Sequence, residues 1–132
     1  MVKIMSAKYE RMRDVSRDVF AEKNDCGVIA LAIASGSTYK AAHAACARAG
    51  RKRRGGTTLP TLAMACHRLK TPVRAYESVS GHTIGKIAAK LPTGTYLLFT
   101  RGHVAAMIDG IVHDWTQGRR HRVIATLAIG DA

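Results

Sequence analysis

Between Ser6 and Phe20, the apolar positions Tyr9, Met12, Val15 or Ser16, and Val19 recur three to four residues apart, with Arg and Asp between them. That spacing predicts an amphipathic helix with a charged outer face. Glu22-Lys23-Asn24-Asp25 interrupts the pattern, and Asn and Asp are good helix caps. Cys26 to Ala34 then reads CGVIALAIA. A stretch that is apolar nearly all round predicts a buried central helix, here stopped by Ser35-Gly36. Thr38 to Ala49 is Ala-rich and ends at Gly50, which predicts another helix. The run Arg51-Lys52-Arg53-Arg54-Gly55-Gly56 predicts a loop, through charge repulsion and glycine. Thr57 or Thr58 then caps a helix with Pro60 in its first turn and Leu62, Ala65, Cys66 and Leu69 along one face.

The second half changes period. Pro72 to Tyr76 predicts a short strand, and Thr83 to Leu91 a short helix with Ile84, Ile87, Ala88 and Leu91 inward. After the turn residues Pro92-Thr93-Gly94, Thr95 to Thr100 and His103 to Ile108 are β-type runs separated by Arg101-Gly102. Asp109-Gly110 is a strong hairpin signal, so Ile111 to Trp115 is the returning strand. Val123 to Ile129 supplies the last one. Helices first and an antiparallel sheet second predict an α+β fold. No linker divides the chain, so one domain over 1–132 is expected.

Composition narrows the class. A hydrophobic fraction of 47% excludes wholesale disorder, and one Trp, two Phe and four Tyr leave the core to aliphatic side chains. There is no apolar run of membrane-spanning length and no secretory pattern at the N-terminus, so a soluble, cytoplasmic protein is expected. Three cysteines, Cys26, Cys46 and Cys66, do not suit a disulfide framework. Apart from His43 and His67, Cys46 and Cys66 lack nearby Cys or His at finger-like spacing, so neither metal nor cofactor is expected.

Charge adds a second signal. Lys and Arg number 21 against nine acids, a net charge of +12. They concentrate in Arg48–Arg54 and Arg119–Arg122, which makes Arg51, Lys52, Arg53, Arg54, Arg119 and Arg120 candidate contacts to an acidic protein or nucleic acid. Solvated loops explain the same runs equally well. No aromatics interleave with Arg51–Arg54, which argues against stacking on single strands.

Cys26 falls in the predicted first turn of the buried helix. There the helix dipole and free backbone N–H groups favour a thiolate, the reactive form. Gly27 beside it leaves room for an incoming carbonyl. The alternative is a buried cysteine acting as a small hydrophobe. His103 starts a strand at the mouth of the sheet rather than in its apolar middle. In a hairpin centred on Asp109-Gly110, Asp114 stands opposite Ala105, one diagonal step from His103 and about 7–8 Å away at Cα. A carboxylate there is placed to orient an imidazole serving Cys26. His113 faces the other side of the strand, and His43, His67, His82 and His121 read as surface. Trp115 is expected to pack at the end of the sheet.

Asn24-Asp25-Cys26-Gly27-Val28-Ile29-Ala30-Leu31 resembles the D-C-G-x-x-A-L nucleophile segment of papain-like cysteine peptidases of the C39, bacteriocin-processing type. Gly102-His103-Val104 and Asp109 to Trp115 are similar to that family's His strand, turn and Asp strand, and the order Cys, His, Asp is the same. The chain also looks like small phage-borne proteins of this sort, which implies the host cytoplasm. The resemblance implies a papain-like domain in which Cys26 attacks a peptide or amide carbonyl, His103 shuttles the proton and Asp114 orients it. One departure stands out. The family places a Gln about six residues before the Cys to donate to the oxyanion, and here that position is Phe20. The nearest substitute is the Asn24 side-chain amide, beside the Cys26 N–H. Three readings follow: a thiol hydrolase (peptidase, deamidase, amidase or acyltransferase), a weak or inactive papain-fold protein that binds an acidic partner or nucleic acid through its basic loops, or a plain nucleic-acid-binding protein.

Overall fold

The computed structural model describes residues 6–130. The first five residues, on which the expectation of no secretory pattern falls, lie outside that range. Four helices come first: α1 (Ala7–Asp18), α2 (Cys26–Ser35), α3 (Tyr39–Arg48) and α4 (Leu59–Arg68). Side-chain oxygens of Ser6, Thr38 and Thr58 accept from backbone N–H groups in the first turns of α1, α3 and α4, and Pro60 sits in the first turn of α4. Gly36 ends α2 with φ 69°, and Ser37 N–H reaches back to the Ala32 carbonyl at 3.1 Å.

Five antiparallel strands follow: β1 (Val73–Ser78), β2 (Thr95–Thr100), β3 (His103–Ile108), β4 (Ile111–His113) and β5 (Ala125–Ile129), in the spatial order β1-β5-β2-β3-β4. The architecture is α+β, as the change of period predicts. The β3–β4 register is also as expected, with Ile108 opposite Ile111 and Ala106 opposite His113. Asp109 (φ 48°) and Gly110 (φ 80°) are both left-handed, the requirement of a two-residue hairpin turn.

Strand alternation sends the sheet's side chains to two cores. Leu97, Phe99, Val104, Ala106, Ala125 and Leu127 pack with the buried helix α2 and its neighbours. Leu98, Ala105, Met107, Val112 and Val123 face the other way and are covered by Val79, Ile84 and Ile87. Each fully buried aliphatic side chain contributes roughly 1.5–3 kcal/mol. α2 is buried along Gly27–Ile33 because it lies between the sheet and the outer helices, so its register, and that of Cys26 at its start, is held from both sides.

Three expected elements differ. The helix expected over 83–91 is only a 3₁₀ turn, Ile87–Ala89. The backbone at Ile84 and Gly85 instead bonds the His121 and Arg119 carbonyls at 2.8 and 2.9 Å, which diverts it from a helical ladder. β4 stops at His113, so Asp114 and Trp115 lie in the bend beyond it. β5 starts at Ala125 because Val123 N–H donates to the His82 carbonyl, off the sheet ladder. Among the described residues, no helix is long and apolar enough to cross a membrane.

Candidate active site

Cys26 is the first residue of α2 and half-buried. Asp25 occupies the cap position, but its carboxylate makes no capping bond. It turns inward instead, accepting from Ser16 Oγ, from Tyr39 Oη at 2.7 Å and from Arg17 at 2.9 Å. Burial alone would raise the Asp25 pKa; the three donors outweigh it and hold the group below the ordinary carboxylate value. The expected cap is therefore a tie between α1, α2 and α3. The N–H groups opening α2 at Cys26 receive no side-chain cap from Asp25, and so stay available for an anion.

His103 opens β3 just after the Arg101-Gly102 turn, where Gly102 takes φ 76°. Its Nε2 lies 2.7 Å from Asp114 Oδ2. Asp114 is buried, and the same oxygen accepts from Thr116 N–H at 3.1 Å and Thr116 Oγ1 at 2.6 Å. With Nε2 engaged, Nδ1 remains, and Cys26, which lines the same cleft, adds to the basicity of the ring. Burial pushes the His103 pKa down, but Asp114 and then Cys26 outweigh it and raise the value from 6.5 to about 9. A value of about 9 favours the protonated ring at neutral pH, in the same cleft as the thiol that starts α2. Burial pushes the other thiols up, Cys46 to about 12 and Cys66 to about 11, which leaves both inert at neutral pH.

These side chains line one cleft of about 480 Å³, whose walls include Asn24, Cys26, Thr57, His103, Asp114 and Trp115. The Trp115 ring stands 5.2 Å from the His103 ring, at the cleft edge. Asn24 holds a left-handed conformation (φ 53°), and its amide donates to the Arg54 carbonyl at 3.2 Å. One amide proton is thereby committed to the 51–56 loop and a second is left over. Phe20, at the position of the missing Gln, packs on Tyr39 and His43 with ring centroids 4.9 Å away in each case.

The first basic cluster divides. Arg51 is not an exposed contact residue: it is buried, and its guanidinium bonds both oxygens of buried Glu22 at 3.0 and 3.1 Å and the Gly55 carbonyl at 2.8 Å. Glu22 also accepts from Arg54 N–H at 2.9 Å and meets His43 Nε2 at 2.6 Å. These partners overcome the raising effect of burial and bring the Glu22 pKa down to about 2. His43 is thus a structural partner rather than a surface histidine. Lys52, Arg53 and Arg54 are exposed, although Arg53 donates to the Phe20 carbonyl at 2.9 Å. Arg119 and Arg120 are exposed as well. His113 is half-buried and bonded through Nδ1 to Ser6 Oγ, so it joins β4 to the start of α1 rather than facing solvent.

Gly27 has a different reason from the one the sequence suggests. A Cβ there would meet Thr57 Oγ1 at 2.0 Å and Leu62 Cδ1 at 3.3 Å. The glycine admits the loop before α4, not an incoming carbonyl. Thr57 Oγ1 is itself a buried oxygen without a hydrogen-bond partner. Sequence reasoning missed Glu22, Thr116 and Thr57. Only Thr116, two residues past Asp114, carried a local signal: hydroxyls commonly bond a neighbouring carboxylate or backbone group at a turn. The chain matches no family model, no curated protein and no solved structure.

Proposed function

We propose that this chain is a papain-like thiol hydrolase acting on a peptide or amide bond. The observation that carries the reading is the His103 imidazole, held by Asp114 at 2.7 Å and lining one cleft with Cys26, the first residue of a buried helix. A helical half presenting the thiol and a sheet half presenting the imidazole is the papain-like division of labour. Cys26 Sγ attacks the carbonyl carbon, and the C–S bond forms as charge moves to the carbonyl oxygen. The Cys26 N–H and the remaining Asn24 amide proton are the donors nearest that charge. The C–N bond then breaks, and the leaving amine takes the proton held by His103. Water, deprotonated by His103, cleaves the resulting thioester and restores the thiol.

The test is the second-order rate of alkylation by iodoacetamide, followed residue by residue by mass spectrometry at pH 7. Cys26 is expected to react at least 10²-fold faster than Cys46 and Cys66, and His103→Ala to abolish the difference. Equal rates at all three cysteines would refute the reading.

A second reading has one observation behind it: Phe20 holds the sequence position of the family's glutamine, and its ring packs on Tyr39 and His43. On that reading the cleft binds without turnover. Cys26→Ala would then leave the protein's effect in cells intact, whereas loss of the exposed basic residues would abolish it.

A further inference from the structure

The second basic cluster is built into the edge of the cleft. Trp115 lines the cleft and touches three neighbours: the His103 ring at 5.2 Å, the His121 ring edge-on at 5.3 Å, and the Arg119 guanidinium 5.7 Å above its own ring. Thr100 lines the cleft too, and also a shallow depression formed with Arg101, His121, Arg122 and Ile124. Gly118 to His121 form a third hollow that shares His121 with the second. The surface therefore runs unbroken from His103 to the arginines.

The turn that carries these arginines is held by backbone bonds rather than left loose. Arg119 N–H donates to the Thr116 carbonyl at 2.8 Å, and Gly85 N–H and Ile84 N–H bind the Arg119 and His121 carbonyls. Gly85 lies so close that a Cβ would meet the Gly118 carbonyl carbon and oxygen at 2.9 Å. Thr116 in turn is fixed by Asp114. The backbone that carries the arginines is thus tied to the same bend that orients His103. Among the described residues, no carboxylate forms a salt bridge with Arg101, Arg119, Arg120 or Arg122, in contrast to Arg17 and Arg51. A preorganised positive surface with no internal counter-ion lowers the ordering cost for an anionic ligand.

We propose that Trp115 and the Gly118–Arg122 turn form a subsite of the Cys26 cleft for an acidic peptide segment, whose carboxylates are received by Arg119 and Arg120. This rests on the thiol-hydrolase reading for what happens in the cleft, and adds the substrate class. A peptide fits better than a nucleic acid. Trp115 is the one tryptophan, one ring face already carries the Arg119 guanidinium, and no Phe, Tyr or second Trp is interleaved with Arg119–Arg122 for successive bases to stack on. Planar guanidinium groups pair with carboxylates in a two-pronged geometry, so side-chain acids are suited to this rim.

The single tryptophan makes the subsite directly observable. Full-length chain carrying Cys26→Ala is titrated with an acetylated octapeptide rich in Glu, its Gln counterpart, and an eight-nucleotide oligothymidylate, following Trp115 fluorescence. The Glu peptide is expected to perturb Trp115 and bind at least tenfold more tightly than the Gln peptide at low salt, with the gap closing as salt rises. Arg119→Ala with Arg120→Ala should erase the preference, and Arg→Lys at both positions, which keeps the charge but not the two-pronged geometry, should keep only part of it. Gly85→Ala, which displaces the turn without removing a charge, should weaken it as well. Equal affinity for the Glu and Gln peptides, tighter binding of the oligonucleotide, or a preference that survives the double Ala change would each overturn the proposal. Failure of the hydrolase reading looks different: Cys26 of the unmodified chain would alkylate no faster than Cys46 and Cys66, while the Glu preference at Trp115 persisted.

Discussion

His103 Nε2 and Asp114 Oδ2 meet at 2.7 Å although the ladder joining their strands ends one residue earlier, at His113. Because Asp114 is free of strand geometry, its carboxylate swings into the bend and is fixed there by the Thr116 N–H and hydroxyl. The imidazole is therefore positioned by a turn, and the turn by a threonine.

Asp114→Ala should lower the His103 pKa from about 9 toward its ordinary 6.5, because the bond to Asp114 is the largest effect raising it. Titration of the ring by NMR reads this directly. Cys26 alkylation at pH 7 should slow by about 10²-fold, the scale of a misplaced acid–base group. An unchanged His103 titration would show that Asp114 does not act on the ring.

The same pKa makes stability depend on pH, with a defined sign. The folded value of about 9 exceeds the unfolded value of 6.5, so folding favours the protonated ring. This contribution is fully present below about 6.5 and is lost as pH rises through 9. The displacement corresponds to about 3 kcal/mol. Urea unfolding between pH 6 and 10 should show a falling stability that His103→Gln flattens. If both proteins keep the same slope, the assigned charge state is wrong.

Arg51 and Lys52 are neighbours with opposite fates. Arg51→Ala leaves Glu22 buried and unpaired, and should destabilise by about 3–5 kcal/mol, whereas Lys52→Ala should change stability by less than about 0.5 kcal/mol. Glu22 has the depressed pKa of a carboxylate, about 2 against 4.5, so its contribution is present above 4.5 and fades as pH falls toward 2. Thermal melts of the two variants at pH 7 and pH 3 check both statements. A mild Arg51→Ala effect at pH 7 would contradict the buried pair.

Gly27→Ala should cost about 1–3 kcal/mol from overpacking against Thr57, and Thr57→Ala in the same chain should restore part of it. Denaturant midpoints of the two single variants and the double variant measure the coupling. Additive effects would mean that the two residues do not compete for the same space.

Much of this was legible in the chain itself. Helix and strand positions follow from short-range periodicity, so α1, α2, β2 and β3 fall within a residue or two of expectation. The Asp109-Gly110 turn sets the β3–β4 register, because few dipeptides accept two left-handed residues in succession. That register brings the start of β3, with His103, near the end of β4, just before Asp114, while Cys26 is placed separately by the start of its helix. The tertiary structure decided what depends on long-range neighbours. Arg51 reads as one more charge in a basic run, and only the approach of Glu22, 29 positions away, buries it. Asp25 reads as a cap, until Ser16 and Tyr39 offer it stronger partners than the helix start does. Gly27 reads as space for a substrate, until Thr57 is seen to occupy that space. Local pattern thus settled which residues face each other along the hairpin and where the thiol begins its helix. Packing between distant segments settled which charges are structural and which remain free at the cleft edge. A charge's burial depends on what the folded chain brings beside it, and no local spacing encodes that.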